Sequence, residues 1–239
     1  MFQLVENATS VLLGTTATVA VAHTLLGIDH SLPFIVLGRS RQWSLRHTVA
    51  VTVVCGIGHV ASSVAIGGIG AVAGATFDSL VYVESARGQM AAALLIAFGL
   101  AYAAWAIWNL FRGVTHSHPH ANVDGAVHDH VHAHHGEHLH PHGKHTSLTP
   151  WALFIIFLLG PCEPLIPLMV VPAMSGAWPV LGAVVAIFGI LTVVTMSLTV
   201  VVGYRMCPAV PRPGLTRAAD LVAGLVVAAS GAAVLFLGL

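Results

Sequence analysis

The chain has 239 residues, of which 56% are hydrophobic and 8% charged, with nine basic and nine acidic side chains and no formal net charge. A soluble domain carries about 25% charged residues, so this composition excludes an ordinary globular enzyme, and the charge balance excludes a nucleic-acid partner. The one polar stretch is extreme: twelve of the sixteen histidines lie in a 30-residue window, His116–His145.

The first ten residues, MFQLVENATS, contain no basic side chain and do not read as a signal peptide. From there the chain predicts an all-α polytopic membrane protein of six transmembrane helices, because about 20 apolar residues span a bilayer. The spans fall near 9–37, 48–74, 88–111, 148–173, 179–204 and 218–239. Charge-free runs support them: Gly88–Phe111 and Leu221–Leu239 carry no charge, and Thr146–Tyr204 carries only Glu163. The first span is long and broken near Gly27 or Pro33. Gly68–Gly74 is a small-residue helix stretch of the kind membrane packing uses, not a nucleotide loop. With no nucleotide motif, any transport is driven by a gradient.

Basic residues set the orientation. Arg39, Arg41, Arg46, Arg112, Lys144, Arg205, Arg212 and Arg217 fall on one side of these spans, and Arg87 stands alone on the other. The positive-inside rule then places the chain in the cell membrane with both termini outside and the His tract in the cytoplasm.

The tract carries His116, His118, His120, His128, His130, His132, His134, His135, His138, His140, His142 and His145, with Asp124, Asp129 and Glu137 among them. It cannot bury apolar surface, so a polar, mobile loop is expected. Neutral imidazole is the commonest protein ligand for zinc, nickel, copper and cobalt. An expression tag would be terminal and uniform; this tract is internal and interrupted, which points to metal contact.

The chain also repeats itself. Leu25-Leu26-Gly27 recurs as Leu158-Leu159-Gly160, Leu32 as Leu165, and Gly56-Ile57 as Gly189-Ile190, all at an offset of 133. Two three-helix repeats, 1–112 and 148–239, are joined by the His-rich segment 113–147. An odd number of spans per half makes the repeats inverted, with a site expected where they meet. The offset sets Asp29 against Cys162, His30 against Glu163 and His59 against Thr192. Pro33 deprives the Asp29 carbonyl of its helical donor, and Pro164 and Pro167 do the same to Gly160 and Glu163. Broken helices at membrane depth line protein or a water-filled cavity. Helices 1 and 4 are therefore the broken ones.

Asp29, His30 and His59 rank first as metal ligands, Glu163 next, and His23 and Cys162 after them. Imidazoles with carboxylates suit a borderline divalent ion, and ionisable groups inside a membrane usually face a pathway. On an unbroken helix His23 and His30 stand about 10 Å apart along the axis, so both reach one ion only across a bend. His47 reads as solvated, Cys55 and Cys207 as inert, and Met169, Met174 and Met196 as packing.

His23…Asp29-His30 and Gly58-His59-Val60-Ala61-Ser62 resemble the signatures of the nickel/cobalt transporters, with five residues rather than four between His23 and Asp29. Efflux relatives in that family carry a His-rich cytoplasmic loop. The span pattern also resembles the wider amino-acid and metal exporter superfamily, including urease accessory H-type membrane proteins. What the resemblance implies is secondary transport of Ni²⁺ or Co²⁺, with Zn²⁺ or Fe²⁺ next. The metal is then a substrate, there is no prosthetic group or enzymatic reaction, and protons are a coupling partner. Export is favoured, because an exporter benefits from gathering ions on its loading side. Two alternatives stay open. Pro161-Cys162 resembles the proline–cysteine pairs of the thiol–disulfide electron carriers of cytochrome c biogenesis, which need a reactive cysteine in each half. A non-transporting membrane metal buffer or assembly factor is the other.

Overall fold

Helix α1 (Phe2–Leu26) ends at Gly27, where the backbone turns extended at φ −72° and ψ 92°. A single 3₁₀ turn, Ile28–His30, leads into α2 (Leu32–Ser40), which has Pro33 in its first turn, where a missing N–H has no helical partner to lose. The long helices α3 (Leu45–Val72) and α4 (Phe77–Phe111) follow. The second half repeats that order: α5 (Leu148–Leu159), a turn, α6 (Leu165–Met174), then the long helices α7 (Trp178–Met206) and α8 (Pro213–Leu237). The computed structural model describes residues 2–72, 76–111, 115–121, 127–133, 148–160, 162–207 and 213–237.

Five of the described helices are long and apolar enough to cross a membrane, and they fit a multi-pass membrane protein. Their outward faces carry exposed Leu26, Val54, Ile57, Leu100, Ile190, Leu198, Val202 and Phe236. Such a surface belongs against lipid rather than water. The stretch expected as one span at 148–173 is instead two helices of 12 and 10 residues. End to end they are about 33 Å long, enough for a 30 Å hydrocarbon layer only when taken together. The third span also differs. Reading 88–111 stopped it at the charge of Arg87, whereas α4 begins at Phe77 and carries Glu84 and Arg87 inside it, both buried.

Part of the His tract is not an irregular loop. Thr115–Ala121 (β1) pairs antiparallel with Val127–Ala133 (β2), with His116 opposite His132, His118 opposite His130 and His120 opposite His128. Histidine at every second position matches the two-residue period of a strand. His134, His135, His138, His140, His142 and His145 lie outside the described residues.

Helices α4 and α8 form the most extensive contact. A Cβ on Gly224 would stand 2.6 Å from the Ala103 nitrogen, and one on Gly231 2.8 Å from the Ala92 carbonyl; Gly99 faces the Ala228 and Gly224 backbone equally closely. Small residues let membrane helices approach until backbone meets backbone, where dispersion and weak polar contacts replace the absent hydrophobic drive. The α3–α7 contact is reciprocal. The Cβ position of Gly56 lies 3.3 Å from Val193, and that of Gly189 lies 3.3 Å from Val60. Helix α1 packs on α7 as α5 packs on α3. Two apolar clusters result, one around Phe34, Phe157 and Met196, the other around Cys162, Val184 and Phe188.

Candidate metal centre

Three imidazoles meet between those clusters. His23 comes from the end of α1, His30 from the 3₁₀ turn and His59 from α3. The His30 ring centroid lies 4.8 Å from that of His23 and 5.1 Å from that of His59. Each residue offers a ring nitrogen within 4.8 Å of the others'. The bend at Gly27 makes this possible, by folding the axial separation of His23 and His30 away. It also requires glycine there, because a Cβ on Gly27 would overlap the His30 ring. Phe157 and Phe188 wall the group, with ring centroids 6.3 Å from His59 and 6.4 Å from His23.

The hydrogen bonds fix which nitrogen is free. His30 Nδ1 donates to Asp29 Oδ1 at 3.0 Å, and His59 Nδ1 donates to the Phe157 carbonyl at 3.3 Å. In a neutral ring with its proton on Nδ1, Nε2 carries a bare lone pair. The Nε2 atoms of His23, His30 and His59 are all buried and have no hydrogen-bond partner. Leaving one such atom unsatisfied costs about 1–3 kcal/mol, so three in one cluster call for a partner. A carboxylate or carbonyl holding the far nitrogen is the usual support of a metal-ligating histidine. A cavity of about 30 Å³ adjoins the group, lined by Asp29, His30, His59, Gly88 and Gly160 among others.

The second broken helix supplies support rather than ligands. The helical donor for the Phe157 carbonyl would be residue 161, a proline without an N–H; the Gly160 N–H at 3.1 Å and His59 at 3.3 Å take its place. The donor for Gly160 would be Pro164, and Arg87 takes that place at 3.3 Å. Arg87 also donates to the Leu158 carbonyl at 3.0 Å and to Ser62 at 2.8 Å, and it pairs with Glu84. Glu84 accepts from Ser63 at 3.0 Å and from the Cys162 N–H at 3.2 Å.

Of the residues ranked from sequence, His23, His30 and His59 are brought together, with Asp29 bonded to His30. Glu163 is not among them. It sits exposed in the turn before α6, where the prolines that break the helix also carry it away from the site its repeat mate His30 occupies. Cys162 is fully buried in the second apolar cluster and lies outside the histidine group. Thr192, the mate of His59, is buried with an unpartnered hydroxyl. Among the described residues, the candidate ligand atoms all come from one half of the chain. Met174, expected to pack, is 85% exposed, whereas Met169 and Met196 are buried.

Sequence reasoning missed Glu84, Arg87 and Asp220. Asp220 accepts from Ser40 at 2.6 Å and Tyr102 at 2.7 Å, tying α8 to α2 and α4. A signal was present: Glu84 and Arg87 are spaced i,i+3, and the offset of 133 maps them onto Arg217 and Asp220, the same spacing with the signs reversed.

No family model matches the chain, and no curated protein or solved structure matches it either.

Proposed function

We propose that the protein is a secondary transporter of a divalent transition metal, Ni²⁺ or Co²⁺ first and Zn²⁺ or Fe²⁺ next. The observation that carries the reading is the trio of buried, unpartnered Nε2 atoms of His23, His30 and His59 inside a bundle of membrane-length helices. Nitrogen donors suit these borderline ions over Mg²⁺ or Ca²⁺. Three imidazoles leave a coordination position for water or for Asp29, whose carboxylate also offsets the ion's charge. The resemblance of His23…Asp29-His30 to the nickel/cobalt signature supports the same metals.

The halves relate as inverted three-helix repeats, each with a broken first helix. Support comes from the repeated element order, the breaks at Gly27 and Gly160, and the reciprocal Gly56–Val193 and Gly189–Val60 contacts, which exchange under the offset of 133. Such reciprocity is what a two-fold axis between halves produces. Both termini lie outside and the His tract is cytoplasmic, gathering metal for export. Ligand nitrogens must be deprotonated to bind, so binding releases protons and a proton gradient is the natural drive. Asp29, bonded to His30, is the coupling group, since Glu163 stands apart.

Metal flux into proteoliposomes, with and without a pH gradient, tests the proposal. Flux that needs His30 and His59 supports it. Binding without flux for any first-row metal makes the protein a membrane metal buffer, and flux indifferent to the gradient removes the coupling. The thiol-carrier alternative is disfavoured by the placement of Cys55 and Cys162 in separate apolar clusters. A Cys55→Ser/Cys162→Ser variant that still transports metal eliminates it. Direction is read from cell metal content under nickel or cobalt challenge: lower content means export.

A further inference from the structure

We infer that Glu84 and Arg87 are positioning residues for the histidine site, acting on His59 through the break between α5 and α6. The inference rests on the metal reading above. An ion pair this deep is expensive, because desolvation offsets much of the attraction, and Glu84 is 1% exposed and Arg87 9%. A pair kept at that cost calls for a task, and its hydrogen bonds identify one.

The two charges grip opposite sides of the same backbone break. Arg87 donates to the Leu158 and Gly160 carbonyls at the end of α5. Glu84 and Ser63 accept the Cys162 N–H just before α6, at 3.2 and 3.1 Å. Each sign matches its helix end: a cation at the carbonyl end, an anion at the amide end. Immediately before the first grip lies Phe157, whose carbonyl accepts from His59 Nδ1. Gly160, held by Arg87, is also the residue whose Cβ position lies 3.1 Å from His59 Nδ1. Serines 62 and 63, which anchor the pair, stand on α3 within one turn of His59 itself. The clasp thus ties the His59 helix to the one carbonyl that sets its ring. Neither charge touches the metal position; both decide whether Phe157 and His59 stay in register.

The test compares metal binding by the full-length protein in detergent, titrated with Co²⁺ or Ni²⁺ and followed by ligand-field absorption. Arg87→Met alone strands a buried carboxylate and is a poor folding risk. Glu84→Gln/Arg87→Gln removes both charges together and keeps the pair neutral. That double variant is expected to insert, to lose about 10- to 100-fold in affinity and to change the absorption spectrum. The same change in a His59→Ala background is expected to cost under about threefold, because the clasp works through His59 and coupled sites are non-additive. That comparison also subtracts metal held by the His tract. Equal losses in both backgrounds overturn the inference, as does wild-type affinity in the double variant. A second readout needs no metal. In a Cys55→Ser/Cys207→Ser background, Cys162 is expected to resist maleimide until the clasp is removed. Unchanged Cys162 reactivity means the pair does not hold the break, and overturns it. A wild-type protein that binds no metal at the three histidines sinks the transport reading instead, and leaves the clasp to be decided by the labelling.

Discussion

Gly27→Ala adds one methyl group where the structure has no room for it. The backbone there has negative φ, open to any L-residue, so the substitution carries no conformational strain of its own. The cost is steric: the new Cβ would overlap His30 Nδ1, lie 2.8 Å from His30 Cε1 and lie 3.0 Å from the His23 carbonyl. The His30 ring cannot retreat, being 4% exposed and boxed by the His23 and His59 rings. It must turn and give up its bond to Asp29, a charged hydrogen bond worth about 1.5–3 kcal/mol. That converts to about 10- to 150-fold in metal affinity. Glycines elsewhere supply a graded series. Gly14 and Gly182 have nothing within 4 Å of an added Cβ, while Gly160 would put it 3.1 Å from His59 Nδ1. Alanine at 14 or 182 is expected to bind as wild type and to add up to about 1 kcal/mol of helix stability. Alanine at 160 should weaken binding several-fold, and alanine at 27 most. Isothermal titration with Ni²⁺, referenced to a His30→Ala variant to remove the tract's contribution, reads the order directly. If Gly27→Ala binds like Gly14→Ala, the bent conformation is not the one that holds metal.

Asp29→Asn keeps the shape and an acceptor oxygen but removes the charge that steadies the His30 tautomer; metal affinity should fall about 10- to 100-fold with insertion unchanged, as gel filtration and titration would reveal. Gly99→Leu or Gly224→Val drives a side chain into backbone of the facing helix, and overpacking of this kind costs about 1–3 kcal/mol or more. Thermal unfolding in detergent should show the loss, and an unshifted transition would mean α4 and α8 are not packed this closely. Replacing Thr115–His145 with a Gly/Ser linker removes many weak sites near the loading side, so apparent affinity in a flux assay should drop while the maximal rate holds. A silenced rate at saturating metal would make the tract a gate or a ligand donor.

Much of this arrangement is legible in the residues, and the exceptions but Glu163 share one cause. Charge-free runs mark the long helices, and Gly27 with Pro33 marks the first break. The requirement that His23 and His30 share a bend follows from helix geometry alone. What composition hides is charge satisfied at long range. Arg87 looked like the end of a span because its partners lie elsewhere: Leu158 and Gly160 are 71 and 73 residues away. Asp220 meets Ser40 across 180 residues. Glu84 is the nearest clue, since opposite charges at i,i+3 stabilise a helix rather than end it. Glu163 misled in the other direction. The offset of 133 sets it against His30, but equivalence of position is not equivalence of exposure once two prolines redirect the turn.

The asymmetry of the site follows from those same prolines. A broken helix inside a bilayer leaves carbonyls that water would take in a soluble protein, and lipid cannot. Side chains must satisfy them. At the second break, His59 and the Gly160 N–H share the Phe157 carbonyl, and Arg87 takes those of Leu158 and Gly160. Once His59 Nδ1 is committed to that task, its Nε2 is left bare beside the two imidazoles that the first break brings together. Among the described residues the second half adds no member to the histidine group. It contributes by withholding hydrogen-bond donors at residues 161 and 164, so that a histidine of the first half is drawn into position. On this account His59→Gln, whose amide nitrogen can still reach a carbonyl, should retain the fold while losing metal, whereas His59→Leu, which leaves the Phe157 carbonyl only the Gly160 N–H, should lose metal and about 1 kcal/mol of stability. A His59→Leu protein as stable as His59→Gln would show that the Gly160 N–H alone satisfies the Phe157 carbonyl, and the link between the break and the site would fail.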